Sequence, residues 1–440
     1  MRTILVILIA STIASAESPP DLRTRKTGSD WPIFLGPTSN SVSPEKGILT
    51  KWPRDGLKVL WEAPMGLGYA PPVTSCGRLF HFDRFGDDNR LTCRNAEDGK
   101  LLWKFEYPTD YVDLYRYSPG PRACPIVDND RVYIYGPEGM LHCLSIPENG
   151  KVLWKLNTAK EYHVHQNFFG VGSVPIVEGD LLIVAVGGSP AGPRPIDLRE
   201  AKGNGTGIVA FNKLTGKEVY RSTDELASYS SPIIATIGDR RLCLYFARGG
   251  LIAFDPKTGK VDSRFPWRAK IEESVNASNP VVIGDKVLLT ECYGPGAALL
   301  KMSPGKCEPV WTDDDRDRED KALQCHWNTP IHVDGYIYGS SGRHENGAQL
   351  RCVELATGKI MWQEPNLSRA SLTLIDGHFL CLTETGQLIL VKVNPKKYEP
   401  VTRWVTDLDN PCWAAPVVSN GIMYIRGKDR LIATELIPAK

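Results

Sequence analysis

The chain has 440 residues, room for two to four ordinary domains or one large repeat array. Apolar residues make up 42% and charged residues 23%, a globular balance that argues against disorder. Lys and Arg total 52 against 51 Asp and Glu, so a net charge of +1 supplies no field to draw in nucleic acid or an anionic membrane.

The first residues read as an address. Arg2 precedes an apolar run from Ile4 to Ala10, and small residues follow to Ala14-Ser15-Ala16. This order predicts a signal peptide over residues 1–16 and an exported product, periplasmic or extracellular. The run falls short of the ~20 residues of a spanning helix, and no later stretch reaches that length, so no transmembrane segment is predicted. Residues 17–56 are Pro-rich and are expected to wrap the rest as an extended N-terminal arm, anchored by Trp31 and Phe34.

From Leu57 the chain repeats itself. One phrase is a small residue, a polar turn, Gly-Lys and an aromatic: CRNAEDGKLLW ending at Trp103, CLSIPENGKVLW at Trp154, AFNKLTGKEVY at Tyr220 and CVELATGKIMW at Trp362. Between copies runs a second phrase of Pro, apolar residues, a turn and an apolar strand, beginning near Pro72, Pro125, Pro175, Pro232, Pro280, Pro330, Leu372 and Pro416. Inside it, pairs such as Asn129-Asp130, Gly179-Asp180, Asp334-Gly335 and Asn420-Gly421 supply the positive φ of tight hairpins. Each unit thus reads as four short strands. Four-stranded units at a period of about 50 residues predict an all-β, eight-bladed β-propeller over residues 57–440. The last unit holds only three strands. The missing outer strand is expected from residues 57–63, pairing beside Arg430–Leu436 and placing Trp61 where Trp103 stands in its own unit.

The recurring tryptophans read as aromatics stacked between blades. Eleven cysteines in an exported chain invite a disulfide reading, and the odd number leaves at least one unpaired. Cys93, Cys143 and Cys352 stand where Ala210 and Ala253 stand in other copies, so they read as small buried residues. Cys243, Cys292 and Cys381 are expected on second strands. The acidic run Asp313–Asp320 reads as a solvated loop, and residues 187–207 as an insertion in blade three, a mobile decoration or a partner-binding lid.

These repeats resemble the quinoprotein-like propellers, named after pyrroloquinoline quinone (PQQ), through AFDPKTGK and CVELATGKIMW. The chain is also similar to exported bacterial propellers grouped with the propeller subunit (BamB) of the outer-membrane β-barrel assembly machinery. That likeness rests on Asp30-Trp31-Pro32 with Gly36-Pro37, Gln166 to Gly172, Ala227 to Pro232 and Cys412 to Pro416. The resemblance implies a propeller fold and, for the second group, a protein-facing role in the envelope.

Propellers bind ligands over the central channel, where the segments preceding each innermost strand converge. Those segments supply the candidate ligand-binding residues Tyr69, Arg122, His163, His165, Gln166, Asn167, Tyr229, Asn276, Asn279, His326, Asn328, Arg369 and Trp413, a set of polar groups with aromatic walls. His163 and His165, two apart, would point the same way on a strand, and His326 would be a third nitrogen, but no acidic residue is fixed nearby. No metal set and no catalytic residue is assigned.

Two functions follow. The first is a non-catalytic binding or protein-interaction platform whose partner, an envelope protein or a small-molecule ligand, sits over the channel. The alternative is a PQQ-dependent dehydrogenase oxidising alcohols or sugars, with PQQ and calcium. The alcohol-oxidising branch implies a vicinal Cys-Cys pair, which this chain lacks, and no C-x-x-C-H haem motif is present. A nucleophilic hydrolase lacks its G-x-S-x-G elbow. Nucleic acid is not an expected partner, and the chain is expected to be a monomer.

Overall fold

The structure is a computed structural model and describes residues 19–165, 168–272 and 274–439. The expected signal peptide over residues 1–16, Gln166 and Asn167 lie outside these. The described strands form eight sheets, each with four antiparallel strands, consecutive in the chain in all but the last, arranged as the blades of a propeller. Blade one spans Val73–Ser75 to Leu101–Pro108, and blade seven spans Ala370–Ile375 to Pro400–Val405.

Blade eight combines both ends of the chain. Val59–Pro64 pairs antiparallel with Arg430–Glu435, with Trp61 opposite Ala433. The strand predicted to close the ring does so. Each first hairpin turns at a left-handed residue, such as Asn129 (φ 54°), Asp334 (φ 47°) or Asn420 (φ 53°).

The outer-strand aromatics explain the Gly-Lys turns. Trp61 of blade eight lies against Gly99 of blade one, where an added Cβ would stand 2.6 Å from the indole. Trp103 lies in the same way against Gly150, Trp154 against Gly216, Tyr220 against Gly259 and Trp311 against Gly358. The indole NH then donates to a carbonyl of the next blade: Trp61 to Ala96 (3.0 Å), Trp154 to Lys213 (3.0 Å) and Trp362 to Asn394 (2.8 Å). These three seams therefore couple aromatic packing to a directed hydrogen bond.

All eleven cysteines are unpaired. Cys93, Cys143 and Cys352 are fully buried, as are Ala210 and Ala253 at the equivalent positions. Cys243 and Cys381 lie on second strands, whereas Cys292 lies just beyond one, after Lys286–Thr290. The acidic run is not merely solvated. Asp313 is fully buried and accepts from the Ala297 NH at 2.9 Å, and Arg316 pairs with it at 3.1 Å.

The arm runs along one end of the ring and into the channel. Trp31 exchanges backbone hydrogen bonds with Thr74 on the innermost strand of blade one, and Pro32 accepts from Val127 of blade two. Val42–Ser43 then adds a parallel fifth strand to the innermost edge of blade seven, opposite Leu374 and Ile375. Glu45 caps the Asn420-Gly421 turn of blade eight, accepting both backbone NH groups at 2.7 Å. Bound to the inner strands of four blades, this segment floors the channel. The described part of the arm, residues 19–56, thus lies below the ring, with Trp31 buried and Phe34 turned to the cavity above.

Candidate functional site

In a four-stranded antiparallel blade, the connection after the second strand and the one after the fourth emerge at the same end. The arm covers the opposite end. A cavity of about 420 Å³ lies on the axis, floored by Phe34, Leu35 and Ser41 and walled by these connections.

One wall is aromatic. Tyr69, Trp413 and Trp327 follow one another with ring centroids 4.4 and 4.7 Å apart and planes tilted by 45° and 41°. They come from the connections into blades one, eight and six. The Trp327 NH donates to the Trp413 carbonyl at 3.1 Å, which fixes their spacing. Phe169, Tyr115 and Tyr117 build a second wall; Tyr117 is 65% exposed and stands at the mouth.

Three guanidinium groups enter this frame. Arg369 lies 4.6 Å over Trp327 and 5.6 Å from Trp413, and is held bidentately by Glu384 at 2.9 and 2.7 Å. Arg122 lies 5.5 Å over Tyr69 and pairs with buried Asp113 at 3.3 Å. Arg343 lies 4.4 Å over Tyr293 and makes no ion pair with a described residue. Such cation–π contacts hold the arginines flat against the walls.

His326 links two of these groups. Its Nδ1 lies 3.3 Å from Arg369 Nη1 and its Nε2 lies 2.9 Å from the Tyr293 hydroxyl. Burial and the charges of Arg369 and Arg343 lower its pKa to about 3, so the ring is neutral. Arginine can only donate, so Nδ1 accepts and Nε2 carries the proton. Nε2 then donates to Tyr293, whose own proton is left to donate elsewhere. Behind Tyr293 sits Glu291, fully buried, accepting from the Tyr293 and Gly294 NH groups at 2.8 and 2.9 Å. Burial raises its carboxyl pKa to about 7.

Of the sequence candidates, Tyr69, Arg122, Tyr229, His326, Asn328, Arg369 and Trp413 line the cavity together. Asn276 and Asn279 do not. Asn276 donates to the Ala247 and Trp267 carbonyls, and Asn279 accepts from the Ser231 NH at 2.7 Å, so both stitch blade to blade. His163 and His165 also lie off the cavity. They follow a helical turn at Thr158–Glu161, and His163 is left-handed (φ 54°), so the strand geometry expected to align them is absent. The segments expected at the channel, His163 to Phe169 and Gln324 to Asn328, contain Phe169 and Trp327 without singling them out, whereas Tyr293 and Arg343 lie outside every expected segment. Tyr293 and Arg343 sit in second-to-third-strand connections, which share the cavity's end of the blade.

The insertion of blade three braces this wall. Leu198, on its short 3-10 turn, packs with Phe168 and Val275 beneath Phe169, Tyr229 and Tyr293. Arg199 reaches Glu272 at 4.0 Å.

The fold and the funnel define a PQQ-like β-propeller. The family model for outer membrane protein assembly factor BamB matches residues 46–188 and 87–364, and the chain belongs to that family. Among solved structures it is similar to BamB from Moraxella catarrhalis, at 13% identity and a TM-score of 0.57, covering 86% of this chain and 98% of that one. It is also similar to the quinohemoprotein alcohol dehydrogenase ADHIIG from Pseudomonas putida HK5, at 13% identity and a TM-score of 0.63, covering 93% and 81%. The WD40 domain of Sif2 shares the fold at 10% identity and a TM-score of 0.53, covering 87% and 98%. No curated protein matches the sequence.

The residues present suit one half of a quinone site. Aromatic faces and arginines fit a planar polycarboxylate. The metal half is not met: among the described residues no three His, Cys, Asp or Glu side chains stand close enough to hold an ion. Of the buried carboxylates near the cavity, Glu384 and Asp113 are taken by Arg369 and Arg122, and Glu291 accepts from the Tyr293 and Gly294 NH groups. Among the described residues the acidic, His and Cys side chains alone therefore form no preformed calcium site.

Proposed function

We propose that this protein is a non-catalytic binding platform of the cell envelope, exported by residues 1–16 and acting as a monomer. Its ligand site is the funnel, with Tyr69, Arg122, Tyr229, His326, Asn328, Arg369 and Trp413 as contacts. The observation that supports this reading is the convergence of fixed aromatic faces and guanidinium groups in one cavity closed at its far end. The carboxylates that hold them, Glu384 and Asp113, are spent on positioning the guanidinium groups. The cavity is pre-formed, which lowers the ordering cost of binding.

The test is a titration of the purified chain with PQQ and calcium, followed by thermal stability and dye reduction with alcohols and sugars. The platform reading expects no substrate-dependent dye reduction. Turnover would make the protein a quinone dehydrogenase instead.

A further inference from the structure

We propose that the funnel binds an acidic saccharide, a pyranose or short oligosaccharide carrying a carboxylate or sulfate. This names the ligand class of the site above and rests on the platform reading.

The first argument is the sign of the lining. Arg343 lines the cavity with no ion-pair partner among the described residues, and Arg369 and Arg122 line it while paired with Glu384 and Asp113. The His326 tautomer set by Arg369 leaves the Tyr293 hydroxyl proton as a further donor. Glu345, exposed on the loop of Arg343, is the acidic residue among those lining the cavity. A site that offers guanidinium and hydroxyl donors selects a ligand rich in acceptors and negatively charged.

The second argument is the shape of the aromatic wall. The tilts of 45° and 41° turn three ring faces into a bent surface. A flat fused ring system can stack on only one of those faces at a time. A puckered pyranose presents several C–H faces, each suited to the electron-rich face of an indole or phenol. Its hydroxyls then meet the ring of donors. At about 420 Å³ the cavity has the size of common small-ligand sites.

The experiment follows tryptophan fluorescence and calorimetry of the full chain with five probes. These are digalacturonate, a sulfated chondroitin disaccharide, the dimethyl ester of digalacturonate, cellobiose, and PQQ with calcium. Digalacturonate or the sulfated disaccharide is expected to bind at least tenfold tighter than the ester and cellobiose. Which of the two binds tighter identifies the anion. Arg343→Met is expected to lose tenfold or more in affinity with its melting temperature little changed, because the guanidinium makes no ion pair with a described carboxylate and the methionine still covers Tyr293. Equal binding of ester and acid, or full affinity in Arg343→Met, overturns the proposal. Binding of PQQ without either acidic sugar overturns it and leaves the funnel as a ligand site. Binding of none of the probes overturns it and removes the support for the funnel itself.

Discussion

The Trp413 indole NH and the Arg369 guanidinium share one carboxylate oxygen, Glu384 Oε2, at 2.9 and 2.7 Å. Glu384 is 4% exposed, and its backbone also bonds Arg369 and Cys412, so one residue of blade seven orients the segments on both its sides. Glu384→Gln keeps the shape but leaves Arg369 charged and unpaired beside the cavity. We expect a loss of about 3 kcal/mol in urea unfolding, in the range found when one member of a buried pair is removed. The tryptophan emission of the native state should shift as Trp413 loses its anchor.

The blade seams separate backbone strain from steric contact. Gly99 is left-handed (φ 73°) and lies against Trp61, whereas Gly305 is left-handed (φ 71°) with nothing near its Cα face. Gly305→Ala should cost about 1 kcal/mol, the penalty of a left-handed alanine. Gly99→Ala should cost roughly 1–3 kcal/mol more, because the methyl displaces an indole at the closing seam. Paired melts of the two variants read the difference, and equal losses would show that Trp61 moves aside freely.

Glu291 predicts a pH dependence. Its pKa of about 7 in the folded chain exceeds the ordinary value near 4.5, so the native state holds this proton more tightly than the unfolded state does. The stabilisation is full below about pH 4.5 and is lost as pH rises through 7. At 1.36 kcal/mol per pH unit the change is roughly 3 kcal/mol. Glu291→Gln should flatten the fall in stability between pH 5 and pH 8, measured by urea unfolding at both. A slope identical to that of the parent chain would assign the pH dependence elsewhere.

The repeat was legible because each blade writes the same chemistry in the same order. Glycine with a following aromatic marks a seam, and Asn or Asp beside glycine marks a hairpin. Ring closure followed from counting strands. The channel floor was not legible, because Trp31, Val42 and Glu45 find partners at Thr74, Leu374 and Asn420, far away in sequence and outside any period. The cavity was half legible. Residues that precede an innermost strand could be collected by position, but that position alone does not tell an asparagine bordering the cavity, such as Asn328, from one bonded away from it, such as Asn276. Tyr293 and Arg343 were within reach of the rule that alternate connections share one end of a blade.

Glu45 tests the floor. It is 7% exposed and accepts from Ser29, Asn420 and Gly421. Glu45→Ala leaves these NH groups without their acceptor, and we expect a cost of about 2–3 kcal/mol. Limited proteolysis should then cut between residues 29 and 45 faster than in the parent chain. An unchanged cleavage rate would mean that the pairing at Val42–Ser43 alone holds the floor.

The strand Val59–Pro64 is made roughly 370 residues ahead of its partner, Arg430–Glu435. At ribosomal rates of roughly 5–20 residues per second, the first must wait on the order of tens of seconds with an unsatisfied edge. An edge in that state invites pairing with a second nascent copy. Lys58 and Glu62, flanking the apolar residues of the waiting strand, are charges of the kind that discourage such mispairing. The same sequence thus guards the unfinished chain and seals the finished ring.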